Sequence, residues 1–213
     1  MKHDPRLARG WPASKVQKCL DNQKKDELVR FLKARFKERF FRPIDCLKEA
    51  PGNLQGYGFA MMALCSLLVE SIQSFRDGLP STYRRELSKL GQYNPPKQYE
   101  VPKIDWPKNG ADVFKRFFST YRGLFTDVDG GEFYRSIRNG LLHQAQTKNG
   151  WSLRTGQKKL WNPAKKIVDR DRFAESLEDT LKSYLKELEH AGWNSPVWQK
   201  AARKTWWLIR LSL

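Results

Sequence analysis

The chain has 213 residues, 39% hydrophobic and 30% charged, and carries a formal net charge of +17. That balance excludes a wholly disordered chain, and a polypeptide of this length buries enough surface to hold a core without covalent staples. The positive surplus draws in polyanions, nucleic acid first among them, with membrane surfaces and acidic proteins as the alternatives.

Cys19, Cys46 and Cys65 are odd in number and lack paired metal-ligand spacing, so they read as reduced thiols. Cys65 lies within an apolar run and reads as a core residue. The charged N-terminus has no apolar stretch behind it and predicts no secretory signal. The longest apolar run, 59–69, is too short to cross a bilayer. These features predict a cytoplasmic protein with no membrane partner.

In chain order, residues 1–20 carry Pro5, Gly10 and Pro12 and read as an irregular arm. Over 26–41 the apolar side chains Leu28, Leu32, Phe36 and Phe40 mark one helix face, stopped by Pro43. Lys33, Arg35, Lys37 and Arg39 lie on its other faces, as phosphate contacts or as a solvated surface. Residues 51–58 read as a loop, and 59–78 as the central core helix, ended by Gly78 and Pro80. The proline-rich stretch 79–108 reads as a long connection.

Helical spacing resumes over 111–125 and again over 132–147. Short runs at 151–154 and 158–161 face each other across Thr155-Gly156-Gln157 and predict a small β-hairpin. A helix over 170–190 has Asp169 as its N-cap and Gly192 as its stop, and Ser195-Pro196 opens a last helix. Its Trp198, Trp206 and Trp207 read as core anchors, or as base-stacking platforms beside Arg203 and Arg210. The expected domain organisation is a basic arm and helix over 1–54, a helical domain over 55–192 and a Trp-rich helix over 193–213.

Of the three histidines, His3 falls in the arm and His190 at a helix C-terminus, where a cation complements the macrodipole. His143 is different. At helical spacing Arg135, Asn139 and His143 share one face, Arg138 flanks them, and Tyr134, Ile137 and Leu141 form the opposite, core-facing stripe. No carboxylate is interleaved among the cations. Such a patch suits metal-free phosphodiester cleavage: an imidazole moves the proton, a guanidinium steadies the transition-state charge, and the amide of Asn139 orients the ring. One histidine serves as acid or base, so a symmetric dimer would supply the second. The bland alternative is a satisfied polar patch at an interface. No group of Asp, Glu and His shows ligand spacing, so neither metal nor cofactor is expected.

The run Arg138-Asn139-Gly140-Leu141-Leu142-His143 resembles the signature of the HEPN superfamily, an arginine followed by a polar residue with a histidine four to six positions beyond the arginine. The preceding apolar helix ending in Glu70-Ser71 agrees, and the resemblance covers roughly residues 55–190. It implies a four-to-five-helix bundle; with the small β-hairpin insertion and the extra N- and C-terminal helices read from the residues, the expected fold is all-α. It further implies a homodimeric, metal-independent endoribonuclease that leaves 2′,3′-cyclic phosphate and 5′-hydroxyl ends. Such proteins are often toxins or antiviral effectors with a neutralising partner. Arg138 and His143 would be catalytic with Asn139 in support, and Glu70 matches an acidic position often seen in the first long helix; Arg135 is added on helix geometry alone, as a phosphate-binding residue. The alternative is a non-catalytic HEPN-like module that binds nucleic acid, a nucleotide or a partner protein.

Overall fold

Helices occupy most of the residues described by the computed structural model, 4–49, 57–80, 95–100 and 105–213, with two small sheets added. The expected all-α character with a small β insertion is what the chain adopts. Residues 51–56 of the expected loop and most of the connection over 79–108 lie outside the described residues, while Tyr57 and Gly58, expected in that loop, are already helical. Two compact units form: Met1–Arg39, Ile72–Pro107 and Ser183–Leu213 make one, and Phe40–Ser71 with Lys108–Lys182 make the other.

In the first unit, residues 4–21 are regular, contrary to the expected arm. Strands β1 (Arg6–Ala8) and β2 (Trp11–Pro12) pair antiparallel, and Gly10 makes their turn at φ +76°, a conformation only glycine takes without cost. Helix α1 (Ala13–Asp21) follows and buries Val16 and Leu20. The Asp4 carboxylate accepts from the backbone N–H of Ser14 at 3.1 Å and from its hydroxyl at 2.5 Å, fixing the helix start. Glycine and proline here build a turn and open a helix.

Helix α2 (Lys25–Phe36) buries Leu28, Leu32 and Phe36 as expected. Arg35 and Arg39 both donate to the Leu7 carbonyl, at 2.6 and 3.1 Å. The chain stays helical past Pro43, through a π-turn (Lys37–Phe41) into α3 (Arg42–Glu49). The wider turn resets the hydrogen-bond ladder, so Pro43 falls in a first turn, where its missing N–H is tolerated.

Helix α4 (Tyr57–Asp77) contributes to both units and ends at Gly78, φ +69°. By length and composition it could cross a bilayer, yet most of it is buried, with Met62, Leu68, Val69 and Ile72 fully enclosed; it is a core helix of the fold. Helix α8 (Arg170–His190) also contributes to both units and has the predicted ends. Asp169 caps it, accepting from the backbone N–H groups of Asp171 and Arg172 at 3.1 and 3.0 Å. His190 Nδ1 contacts the Lys186 carbonyl at 2.7 Å.

Helix α9 (Pro196–Arg210) starts at Ser195, whose Oγ accepts from the Trp198 N–H. Trp198, Trp206 and Trp207 are buried, and Trp198 Nε1 donates to the Leu188 carbonyl at 2.7 Å. They are core anchors, and the base-stacking alternative is excluded because no indole face is open. Arg203 is also buried and donates to the Tyr99 carbonyl at 3.4 Å. Beside it, buried Lys204 donates to the Pro80 carbonyl at 2.9 Å. Burial, reinforced by the charge of Arg35, holds its amine down to about 7.

In the second unit, helix α5 (Gly110–Thr120) is capped by Asn109, which accepts from the Asp112 N–H at 3.1 Å. It stops five residues short of the expected end, and Phe125 instead reaches back onto Phe117 and Phe118. Phe114, Phe118, Phe133 and Phe173 complete this aromatic core. A short helical turn α6 (Gly130–Glu132), a π-turn (Phe133–Arg138) and α7 (Asn139–Gln144) then form one continuous helical segment.

The β insertion holds three strands, β3 (Ser152–Arg154), β4 (Trp161–Asn162) and β5 (Ile167–Asp169). The pairing differs from the hairpin expected across Gly156: β5 is central, parallel to β3 and antiparallel to β4. Fully buried Val168 makes β5 the apolar strand. The Gly156 turn is instead tied to α8, because Gln157 donates its N–H to Asp169 and accepts from Arg172 Nε, both at 2.6 Å.

Candidate active site

The helix that carries the motif is locally unwound. Its π-turn spans Phe133–Arg138 and passes into α7 at Asn139; such turns widen the helix by one residue and re-aim the side chains on it. Ile137 and Leu141 enter the core and Tyr134 is half-buried, as the stripe predicts. The polar residues do not form one open patch. Arg135 and His143 are exposed, Asn139 is half-buried, and Arg138 retains 7% of its surface.

Two carboxylates meet the arginines. Arg138 Nε donates to Glu70 Oε1 on α4 at 2.7 Å, with both side chains nearly enclosed. Its Nη1 donates to Asn139 Oδ1 at 3.3 Å, and the guanidinium lies 5.6 Å from the Tyr134 ring centroid. Glu70, Arg138 and Asn139 thus form one set. Arg135 is separate: its Nη2 donates to Glu132 at 3.1 Å in an exposed pair, a contact worth little in water. His143 stands one turn beyond Asn139 and makes no hydrogen bond or ion pair among the described residues.

Glu132 organises the other side of the motif helix. Its carboxylate accepts from Ser136 Oγ at 2.7 Å, from Trp151 Nε1 at 2.9 Å and from Arg135. These bonds, the Ser136 hydroxyl foremost, hold its pKa below the usual carboxylate value. Asn149 Nδ2 donates to Ser136 Oγ at 2.8 Å, and the Lys148 N–H donates to the Ser136 carbonyl at 2.8 Å. The segment after α7 is therefore folded back onto the helix that precedes His143. Gly140 permits this, because a Cβ there would strike the Gln146 carbonyl, and Ala145 takes the left-handed turn at φ 53°.

Sequence reasoning missed Glu132, Ser136, Asn149 and Trp151. One signal pointed to part of it: Asp129 and Glu132 stand three apart at a helix start, as capping residues do, and Asp129 Oδ1 accepts from the Glu132 N–H at 2.7 Å. Nothing in the spacing of Asn149 or Trp151 marked them as partners. Among the described residues no group of three or more His, Cys, Asp or Glu is placed to hold a metal ion.

No family model matches the chain, and no solved structure matches it. Over 68 residues it is 34% identical to DNA-directed RNA polymerase subunit beta′ of Prochlorococcus marinus subsp. pastoris, a stretch that is 31% of this chain and 5% of that protein. The chain thus spans about a twentieth of that relative, and the match assigns neither fold nor site.

Proposed function

We propose that the chain is a cytoplasmic, metal-independent endoribonuclease of the HEPN type that works as a homodimer. The observation that carries this reading is the enclosed set in which Glu70 of α4 holds Arg138, beside Asn139, on the helical segment that presents exposed His143. Glu70 and Asn139 fix the guanidinium in place, which is what a preorganised phosphate ligand requires. His143 is open to solvent and to substrate.

In the reaction the ribose 2′-oxygen attacks the adjacent phosphorus and the bond from phosphorus to the 5′-oxygen breaks. A base takes the 2′-proton, an acid delivers a proton to the leaving 5′-oxygen, and the products are a 2′,3′-cyclic phosphate and a 5′-hydroxyl. His143 performs one transfer and its counterpart in a second copy the other. Arg138 stabilises the added charge on phosphorus, and Arg135 meets a phosphate at the outer edge. Leu67, one turn before Glu70 on α4, and Leu142, one turn after Arg138, are 40% and 38% exposed. Both would be covered by a second copy seated at the motif. A chain of this activity fits a toxin or antiviral effector held in check by a protein partner.

A second reading, a non-catalytic nucleic-acid- or nucleotide-binding or adaptor module, is favoured by one observation: Arg138 is already charge-paired and enclosed, as a purely structural cation would be. Incubating wild type, Arg138→Ala and His143→Ala with total bacterial RNA in EDTA separates the two. Fragments with cyclic-phosphate ends from wild type alone support the nuclease. Cleavage that survives His143→Ala refutes the site, and binding without cleavage by any of the three supports the module.

A further inference from the structure

Between Glu132 and Asp169 the chain has eight Lys and Arg residues and neither Asp nor Glu. This acid-free stretch contains the whole motif, including His143, and then the β insertion. Asp169, the first acid after it, is fully buried and spent on backbone N–H groups of Gln157, Asp171 and Arg172, so it screens nothing at the surface. In the insertion Arg154, Lys158, Lys159 and Lys165 are exposed and make no side-chain hydrogen bond or ion pair among the described residues.

The insertion is a firm platform. Trp151 and Trp161 stack with centroids 3.9 Å apart. Trp161 reaches Phe133 of the π-turn at 6.3 Å, and Trp151 Nε1 is bonded to Glu132. Lys166 Nζ donates to the Asn149 carbonyl at 2.8 Å, tying the far side of the sheet to the turn before β3. The Gly156 turn, which carries Lys158 and Lys159, is pinned to the start of α8 through Gln157. The sheet is thus bolted to the same helix that holds Arg138 and His143, and its free cations are the exposed outcome of that arrangement.

We propose that the β insertion, through Arg154, Lys158, Lys159 and Lys165, is the docking platform that tracks the phosphate backbone of an RNA whose scissile linkage lies at the motif. The assignment rests on the nuclease reading for its scissile linkage. Exposed cations on a firmly anchored sheet, in a stretch of chain without a carboxylate, are complementary to a polyanion, and neutralising its phosphates releases counterions. A membrane surface is the poorer fit, because among the described residues none of the exposed large apolar side chains belongs to the insertion, and interfacial binders set an apolar face beside their cations.

The test measures binding of a single-stranded RNA oligonucleotide in the His143→Ala background, so that affinity is read without turnover. One chain carries Arg154→Gln, Lys158→Gln, Lys159→Gln and Lys165→Gln; an equal-charge control carries Lys18→Gln, Lys24→Gln, Lys97→Gln and Lys186→Gln, all exposed. The insertion variant should bind at least roughly tenfold more weakly at ~0.1 M salt. Its salt-dependence slope should fall by about 3, at roughly 0.7 per lost contact on single strands, while the control loses little of either. Equal losses from both sets would reduce the effect to net charge and overturn the platform. Loss of binding to anionic phospholipid vesicles with RNA binding intact would overturn it in favour of a membrane. If wild type cleaves no RNA while the insertion variant still loses binding, the platform stands and the nuclease reading falls.

Discussion

Removal of the Glu70 carboxylate gives the sharpest test of how the candidate site is built. The Arg138–Glu70 contact is 2.7 Å, with side chains 9% and 12% exposed. Deleting one partner of such a pair strands the other charge, at a cost of about 3–5 kcal/mol when burial is complete. The residual exposure at Glu70 places Glu70→Ala near the lower end, roughly 3 kcal/mol, which in a chain of this size is about 6–12 °C in melting temperature. Glu70→Gln keeps an acceptor for Arg138 Nε and should cost less, ~1–2 kcal/mol. The assay is thermal and denaturant unfolding of Glu70→Ala, Arg138→Ala and the double variant. The double should lose clearly less than the sum of the singles, since neither charge is then stranded. Additive losses, or a Glu70→Ala change below about 0.5 kcal/mol, would show that the pair is solvated and that the guanidinium is not held in place.

Gly140→Ala should destabilise the fold, although alanine ordinarily improves a helix interior by ~1 kcal/mol. The added Cβ meets the Gln146 carbonyl, whereas Gly123 has open space around it, so Gly123→Ala is the matched control in the same melting experiment. Asp169→Ala should cost ~2–4 kcal/mol by denaturant titration, summing a lost helix cap and a stranded Gln157 N–H. Lys204 gives a pH test. Its folded pKa is lowered to about 7 against ~10.4 when unfolded, so between these values the unfolded chain binds the extra proton. Stability contributed at this site should therefore rise with pH from about 7 to 10.4, by at most ~1.4 kcal/mol per pH unit, and the rise should vanish in Lys204→Met. An unchanged slope in that variant would place the titration elsewhere.

Much of the architecture was written in local patterns. The ends of α8 and α9 follow from Asp169 and from Ser195-Pro196, because capping depends on side chains within three residues of the helix start. The stripe of Ile137 and Leu141 and the buried tryptophans of α9 follow from helical periodicity. Where reading failed, the deciding partner was distant or the helix was irregular. Gly10 and Pro12 suggested an irregular arm because the strands that their turn joins are only two and three residues long. Pro43 suggested a helix end because a π-turn leaves no mark in apolar spacing.

The candidate site divides in the same way. Sequence alone placed Arg135, Arg138, Asn139 and His143 on one helix and put a strong positive field around them, since helix register and net charge are one-dimensional properties. Only the tertiary structure decided that Arg138 turns inward to Glu70, 68 residues earlier in the chain, and that His143 stays exposed with no bonded partner among the described residues. It also decided that β5 pairs with both neighbouring strands, and that Trp151 and Trp161 join the cationic insertion to the motif helix. Those outcomes depend on which buried charge finds a counter-charge and which apolar strand is covered on both edges, and both are settled when distant segments pack.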